Sequence, residues 1–237
     1  IVRSMSYRRR ASARRFFCAP AKRDRAFRYT VAMTHSPNAG AAPAASQAAI
    51  EQQVRAGYDL LRQQRHRDAL ALAESLADVE APHPGALMLG AEACFANADL
   101  DGALAWTDRA IDAAGGDAVL KVRKARLLAQ MRRRAEVPAL AQEIADQARG
   151  NGALLWQAAG LFHRNNMQER AIPLFEQARA LLGDHPGLLY ELATARFFSG
   201  DFEQAERDLD RMLAIAPQAG PAYYLRSTLR RQTTDRN

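Results

Sequence analysis

Five histidines and two cysteines are the first residues to weigh as metal ligands or nucleophiles: His35, His66, His83, His163, His185, Cys18 and Cys94. None stands at a metal-ligand spacing from another. His83 and His185 precede Pro84 and Pro186 and read as turn residues. Cys94 falls where a helix would pack, which suits a small buried hydrophobe better than a nucleophile. Neither G-x-x-x-x-G-K-[ST] nor G-x-G-x-x-G occurs, so no glycine-rich loop is available to cradle phosphates. The chain as given reads as non-catalytic, with no metal and no cofactor expected. Two cysteines make no disulfide framework, so a reducing compartment, the cytoplasm, is expected. No apolar run approaches the length that spans a bilayer.

The remaining chemistry is charge. The formal net charge is +7, but residues 1–32 alone carry ten Lys/Arg against Asp24. That segment is +9, which leaves −2 for the rest, so the basic balance says little about the partners of the folded body. Three readings of residues 1–32 compete: a binder of nucleic acid or acidic lipid through its Arg runs and Phe16, Phe17, Phe27 and Tyr29, a targeting peptide, or an upstream extension of the reading frame. The last is preferred, because the chain opens on Ile1 and Met33 begins an ordinary Pro- and Ala-containing leader. Nucleic acid is therefore a disfavoured partner. Residues 33–49 are expected to be an Ala/Pro-rich linker. A second basic run, "KVRKARLLAQMRRR", includes Lys121, Arg123, Lys124, Arg132, Arg133 and Arg134 and no acid. It would either contact an acidic partner or be a solvated face with snorkelling stems.

The elements that must position these residues show themselves as a repeat. Ala69, Ala103, Ala171 and Ala205 fall on a 34-residue grid, with Val137 in the missing slot. Twelve residues before each lies another small residue: Gly57, Ala91, Ala125, Ala159 and Ala193. The units are 50–83, 84–117, 118–151, 152–185 and 186–219, and Ser227 begins a sixth. Within a unit the fourth, eighth and eleventh positions share one helix face, and the twentieth, twenty-fourth and twenty-seventh share another. Two such faces bury each other as an antiparallel hairpin. Gly200-Asp201 and Asn165-Asn166 suit the turn between the helices. Pro84 and Pro186 suit a first helical position. Pro138 and Pro173 are expected in the first turn of second helices, where no intrahelical partner is lost.

Period and residues together resemble the tetratricopeptide repeat (TPR) family, whose pattern is W-x2-L-G-x2-Y, then A-x3-F, then P. Leu189, Leu192, Ala193, Ala205, Leu209 and Pro217 match it in the fifth unit. Leu155, Ala159, Phe162, Ala171 and Phe175 match it in the fourth, with Gly183 replacing the proline. The resemblance implies an all-α fold: a right-handed α-solenoid of about five helix–turn–helix units plus one further C-terminal helix in residues 220–237. It also implies a concave groove lined by the second, fifth, ninth and twelfth positions of each first helix. The partner-binding residues would then be Tyr58, Met88, Phe95, Arg126, Trp156, His163, Tyr190, Phe197 and Tyr224. Aromatics there either anchor a partner or fill gaps between units. The Lys/Asn pair with which some family members clamp a terminal carboxylate is absent, which disfavours chaperone tails.

The function implied is a non-catalytic protein–protein interaction scaffold binding a peptide or partner domain. The closing run "LRRQTTDRN" supplies an alternative. It resembles the junction in bacterial TPR-containing sulfotransferases, where a catalytic domain follows the repeats. On that reading the chain is a truncated N-terminal arm, and its partner is the missing C-terminal domain.

Overall fold

Short polar side chains at fixed intervals start the helices. In the computed structural model, which describes residues 44–79 and 81–234, His83, Asp117, Asn151 and His185 each close one unit and cap the next helix. Asp117 Oδ1 accepts from the Val119 and Leu120 amides at 2.8 and 3.1 Å, and Asn151 Oδ1 accepts from Ala153 and Leu154 at 3.1 Å each. His83 and His185 do the same with Nδ1, accepting from Gly85 and Gly187 at 3.1 and 3.2 Å. Such a bond satisfies an amide that has no carbonyl within the helix. The two histidines are thus more than turn residues.

Eleven α-helices follow among the described residues: α1 (Ala44–Arg62), α2 (His66–Ala77), α3 (Pro84–Ala96), α4 (Leu100–Ala113), α5 (Ala118–Gln130), α6 (Val137–Gln147), α7 (Gly152–Arg164), α8 (Gln168–Leu182), α9 (Pro186–Ser199), α10 (Phe202–Ile215) and α11 (Gly220–Thr234). They pair as antiparallel hairpins stacked in an all-helical solenoid, each packed chiefly on its neighbours along the chain. The basic segment 1–32, the start of the linker and the last three residues lie outside the described part.

The turn inside each hairpin repeats as closely as the caps. Its fifteenth residue is left-handed in all five units: Gln64, Ala98, Arg132, Asn166 and Gly200, with φ of 63, 62, 62, 60 and 85°. Only the last is glycine, which takes this conformation without a Cβ clash. Asp99 and Asp201 then cap α4 and α10, accepting from Gly102 and Gln204 at 2.9 and 3.3 Å.

Two local expectations are corrected. Residues 44–49, expected in the linker, belong to α1: no proline follows Pro43 until Pro82, and Ala-rich chain favours helix. Pro138, by contrast, stands in the first turn of α6 as expected, behind a 3-10 turn over Arg134–Glu136. Pro173 lies sixth in α8, past the first turn, and removes an interior amide donor. The helix runs on through it, with Ala171, Phe175 and Ala178 buried on its inner face.

Both lines of small residues are buried, which lets paired helices approach closely. The missing side chain of Gly57 is replaced by Leu89 of α3. At Gly90 a Cβ would meet the Trp106 ring at 2.5 Å. The largest apolar cluster runs from Leu104 to Ala195 and centres on Phe162 and Phe175, and a second joins α9, α10 and α11. A charge network with a buried centre joins the same helices. Arg196, 7 % exposed, pairs with Asp208, 1 % exposed, and with Glu176. Arg179 adds ion pairs to Asp184 at 2.5 Å and to Asp208 at 3.5 Å. Four charged side chains thereby tie α8, α9 and α10 together.

Candidate partner-binding face

The residues expected to meet a partner sit on the first helices of the hairpins, α1, α3, α5, α7, α9 and α11. Side chains cross between successive first helices from the ninth position of one unit to the sixth of the next. Glu92 pairs with Arg123, and Arg126 donates Nη2 to Gln157 Oε1 at 2.7 Å. At the next step the ninth residue is Gly160, and Trp156 Nε1 donates to Glu191 Oε2 at 3.2 Å instead. A Cβ on Gly160 would stand 3.1 Å from Arg164 Nη1 and 3.3 Å from Glu191 Oε2, so these two charged groups occupy the space that the glycine leaves.

Exposure along this face is uneven. At the fifth position Val54 and Val122 are buried, Met88 is half-buried beside Leu87 and Ala110, and Tyr224 is 73 % exposed. Trp156 is half-buried against the main core, its ring centroid 5.1 Å from that of His185 at the end of its own unit, and its bond to Glu191 reaches the next unit. Tyr190 and Phe197 are half-buried on the C-terminal cluster. Tyr58 is half-buried by α2 and α3. Burial and then the Glu92 carboxylate push its phenol up, with Arg123 pulling the other way. Phe95 is 38 % exposed. His163 Nδ1 lies 2.8 Å from Gln168 Oε1, with its ring 6.0 Å from that of Phe198.

Phe198 is the largest omission from the sequence reading. It is 65 % exposed and touches Phe197 edge-on at 5.4 Å. At the thirteenth position it lies one residue beyond the expected stripe, and the doublet Phe197-Phe198 was its visible signal. Arg196 was legible too, as a charge in the eleventh, core-facing slot.

The basic run is largely neutralised. Lys121 pairs with Glu143 of α6 at 2.8 Å, Lys124 with Asp108 of α4 at 2.9 Å and Arg123 with Glu92 of α3. Arg133 is bidentate on Glu136 at 2.6 and 2.8 Å. Arg132 and Arg134 are exposed at the turn. The six therefore do not form one patch. Lys121 and Lys124 occupy apolar slots because their stems pack while their amines reach acids of neighbouring helices.

Among the described residues no group of three His, Cys, Asp or Glu is placed to hold a metal. Cys94 is buried, and burial, then Asp99 and Glu74, push its thiol up, away from the nucleophilic thiolate. No described helix is long and apolar enough to cross a membrane. What the first-helix face presents is aromatic edges, a polar seam and backbone already committed to helices.

Residues 162–229 match the tetratricopeptide repeat family. No curated protein matches the chain in sequence. Among solved structures, YrrB, a TPR protein with an unusual peptide-binding site, superposes with a TM-score of 0.61 at 15 % identity, covering 79 % of this chain and 100 % of its own. PilF of Pseudomonas aeruginosa gives 0.64 at 14 %, covering 81 % and 87 %. MamA from Desulfovibrio magneticus RS-1 gives 0.59 at 13 %, covering 72 % and 97 %. At such identities the likeness is one of fold. These similarities lend nothing to the sulfotransferase resemblance, which stands on the closing residues alone.

Proposed function

We propose that the chain is a protein-interaction scaffold whose first-helix face receives a peptide segment or a partner domain. One observation carries this reading. Large aromatic surface stays uncovered on successive first helices, at Phe198 of α9 and Tyr224 of α11, beside the half-buried Tyr190 and Phe197. Aromatic rings held by a rigid helix are strong anchors, because they bring apolar area at little cost in side-chain entropy. The repeats and the peptide-binding site of YrrB support the same reading by analogy of fold.

The test uses the full chain to select binders from a displayed library of short random peptides. A selected peptide is then titrated by fluorescence anisotropy. Phe198→Ala with Tyr224→Ala is expected to weaken it by about tenfold or more while the melting temperature stays within about 2 °C. Unchanged affinity in that double variant would reject this face as the receptor.

A further inference from the structure

The second helices end on a row of apolar side chains that the first-helix face does not use. Val79, Leu181 and Ile215 hold the thirtieth position of their units, and Leu182 follows Leu181. Each of the four is about half exposed. Among the described residues, Val119 is the one exposed large aliphatic side chain outside this row. Charge divides along the same edge. Residues 50–117 hold twelve Asp/Glu against five Lys/Arg, a net of −7, and residues 118–237 hold thirteen against eighteen, a net of +5. Glu74 and Asp78 line the groove between α2 and α4 beside Trp106. They stand at the negative end of the α2 dipole, with no basic residue in its last turn. Arg149 lines the groove between α6 and α8 with Leu174 and Leu181. All three charged groups are exposed, and none has an ion-pair partner among the described residues. The opposite charge in each groove is already engaged. Arg109 lies 4.7 Å over the Trp106 ring, and Asp146 Oδ1 accepts from Gln142 Nε2 at 2.8 Å.

We propose that this edge receives a second copy of the chain, set antiparallel, so that the acidic groove of each copy meets the basic groove of the other. The occupant is a second copy because both halves of the complement lie on one edge of one chain. One groove brings Glu74, Asp78 and the neighbouring Val79, and the other brings Arg149, Leu181 and Leu182. A twofold axis between the grooves makes both contacts at once and closes the pair. Each contact sets a guanidinium against carboxylates and aliphatic surface against aliphatic surface. A head-to-tail contact would make only one of the two and leave the other groove open on each end copy. The first-helix face takes no part, so a partner can still reach it.

Sedimentation velocity on the full chain, from about 1 to about 100 µM, tests this. A monomer–dimer equilibrium is expected, weakened as salt rises. Asp78→Arg and Arg149→Asp should each weaken the dimer by about tenfold or more. The two together in one chain should restore it, because each contact then has its signs reversed on both sides. Leu181→Glu should abolish it. All three side chains are exposed, so melting temperatures should hold within about 2 °C. Should Leu181→Glu melt early, Leu182→Gln replaces it. A monomer at every concentration would overturn the proposal, and so would a dimer that survives both Asp78→Arg and Leu181→Glu. Loss with Asp78→Arg but not with Arg149→Asp would give the cation to residues 1–32 and also overturn it. Species that grow past the dimer with concentration would mean head-to-tail association, again against it. A peptide selected on the first-helix face should bind Leu181→Glu as it binds wild type, so failure here leaves the proposed function standing.

Discussion

At the scale of single residues, the side chains that matter are those whose charge or thiol is out of water. Asp208 is buried against Arg196, and burial pushes its carboxyl up, against the pull of Arg196, Arg179 and Arg211. Two effects of opposite sense follow. Asp208→Ala leaves Arg196 with only the exposed Glu176 and should cost about 3 kcal/mol in urea unfolding, because a buried charge that loses its buried partner is worse off than the pair. Ionisation of Asp208 is nevertheless harder in the folded chain than in the unfolded one. The stability of wild type relative to Asp208→Asn should be greatest below the unfolded carboxylate range, and should fall as pH rises through it towards the folded value. Paired unfolding measurements between about pH 4 and pH 7 check this, and a difference growing with pH would mean that the arginines outweigh burial. Cys94 gives a simpler expectation. With its thiol buried and pushed up, alkylation mapped to the Cys94 peptide should be at least about tenfold slower in native than in denatured protein.

At the scale of the helix and its turn, the fifteenth position of each unit holds a left-handed residue, and four of the five carry a Cβ. Ala98→Gly should therefore raise stability by about 0.5–1 kcal/mol, and Gly200→Ala should lower it by a similar amount. Thermal midpoints of the two variants test the pair together, and a stabilising Gly200→Ala would contradict the turn geometry. This is also the scale at which the sequence was most readable. Starts at Pro84, Ala118, Gly152, Pro186 and Gly220 keep the spacing of the small-residue grid, since caps and turns are local chemistry. What escaped was contact between units. The stripe Val54, Met88, Val122, Trp156, Tyr190 and Tyr224 was legible as a face, but how much of each survives the next unit's packing depends on neighbours a full repeat away. So Val54 and Val122 are core while Tyr224 is open. The run from Lys121 to Arg134 looked uncompensated for the same reason: Glu92, Asp108 and Glu143 come to it from three other helices.

At the scale of the whole described chain, each hairpin rests on its neighbours, so stability accumulates along the stack and follows the depth of the core that each helix shares. The largest apolar cluster spans Leu104 to Ala195. Amide hydrogen exchange should accordingly be slowest in α5 to α9, and fastest in α1 and α11. Protection in α11 equal to that in α7 would mean that something further covers the last helix. The face proposed to bind a partner runs across both regimes, with Trp156 in the slow centre and Tyr224 at the fast edge.

The tie between Arg196, Asp208, Glu176 and Arg179 makes the stack mechanically unequal. Apolar contacts are individually small and give way one by one, whereas parting Arg196 from Asp208 strands a charge that is 1 % exposed, which is strongly unfavourable. Stretched between its ends, the protein should behave as a soft spring with one stiff hinge where α8, α9 and α10 meet. In optical-tweezers extension that hinge should open late and in a single step, and Asp208→Ala should turn the step into a smooth lengthening.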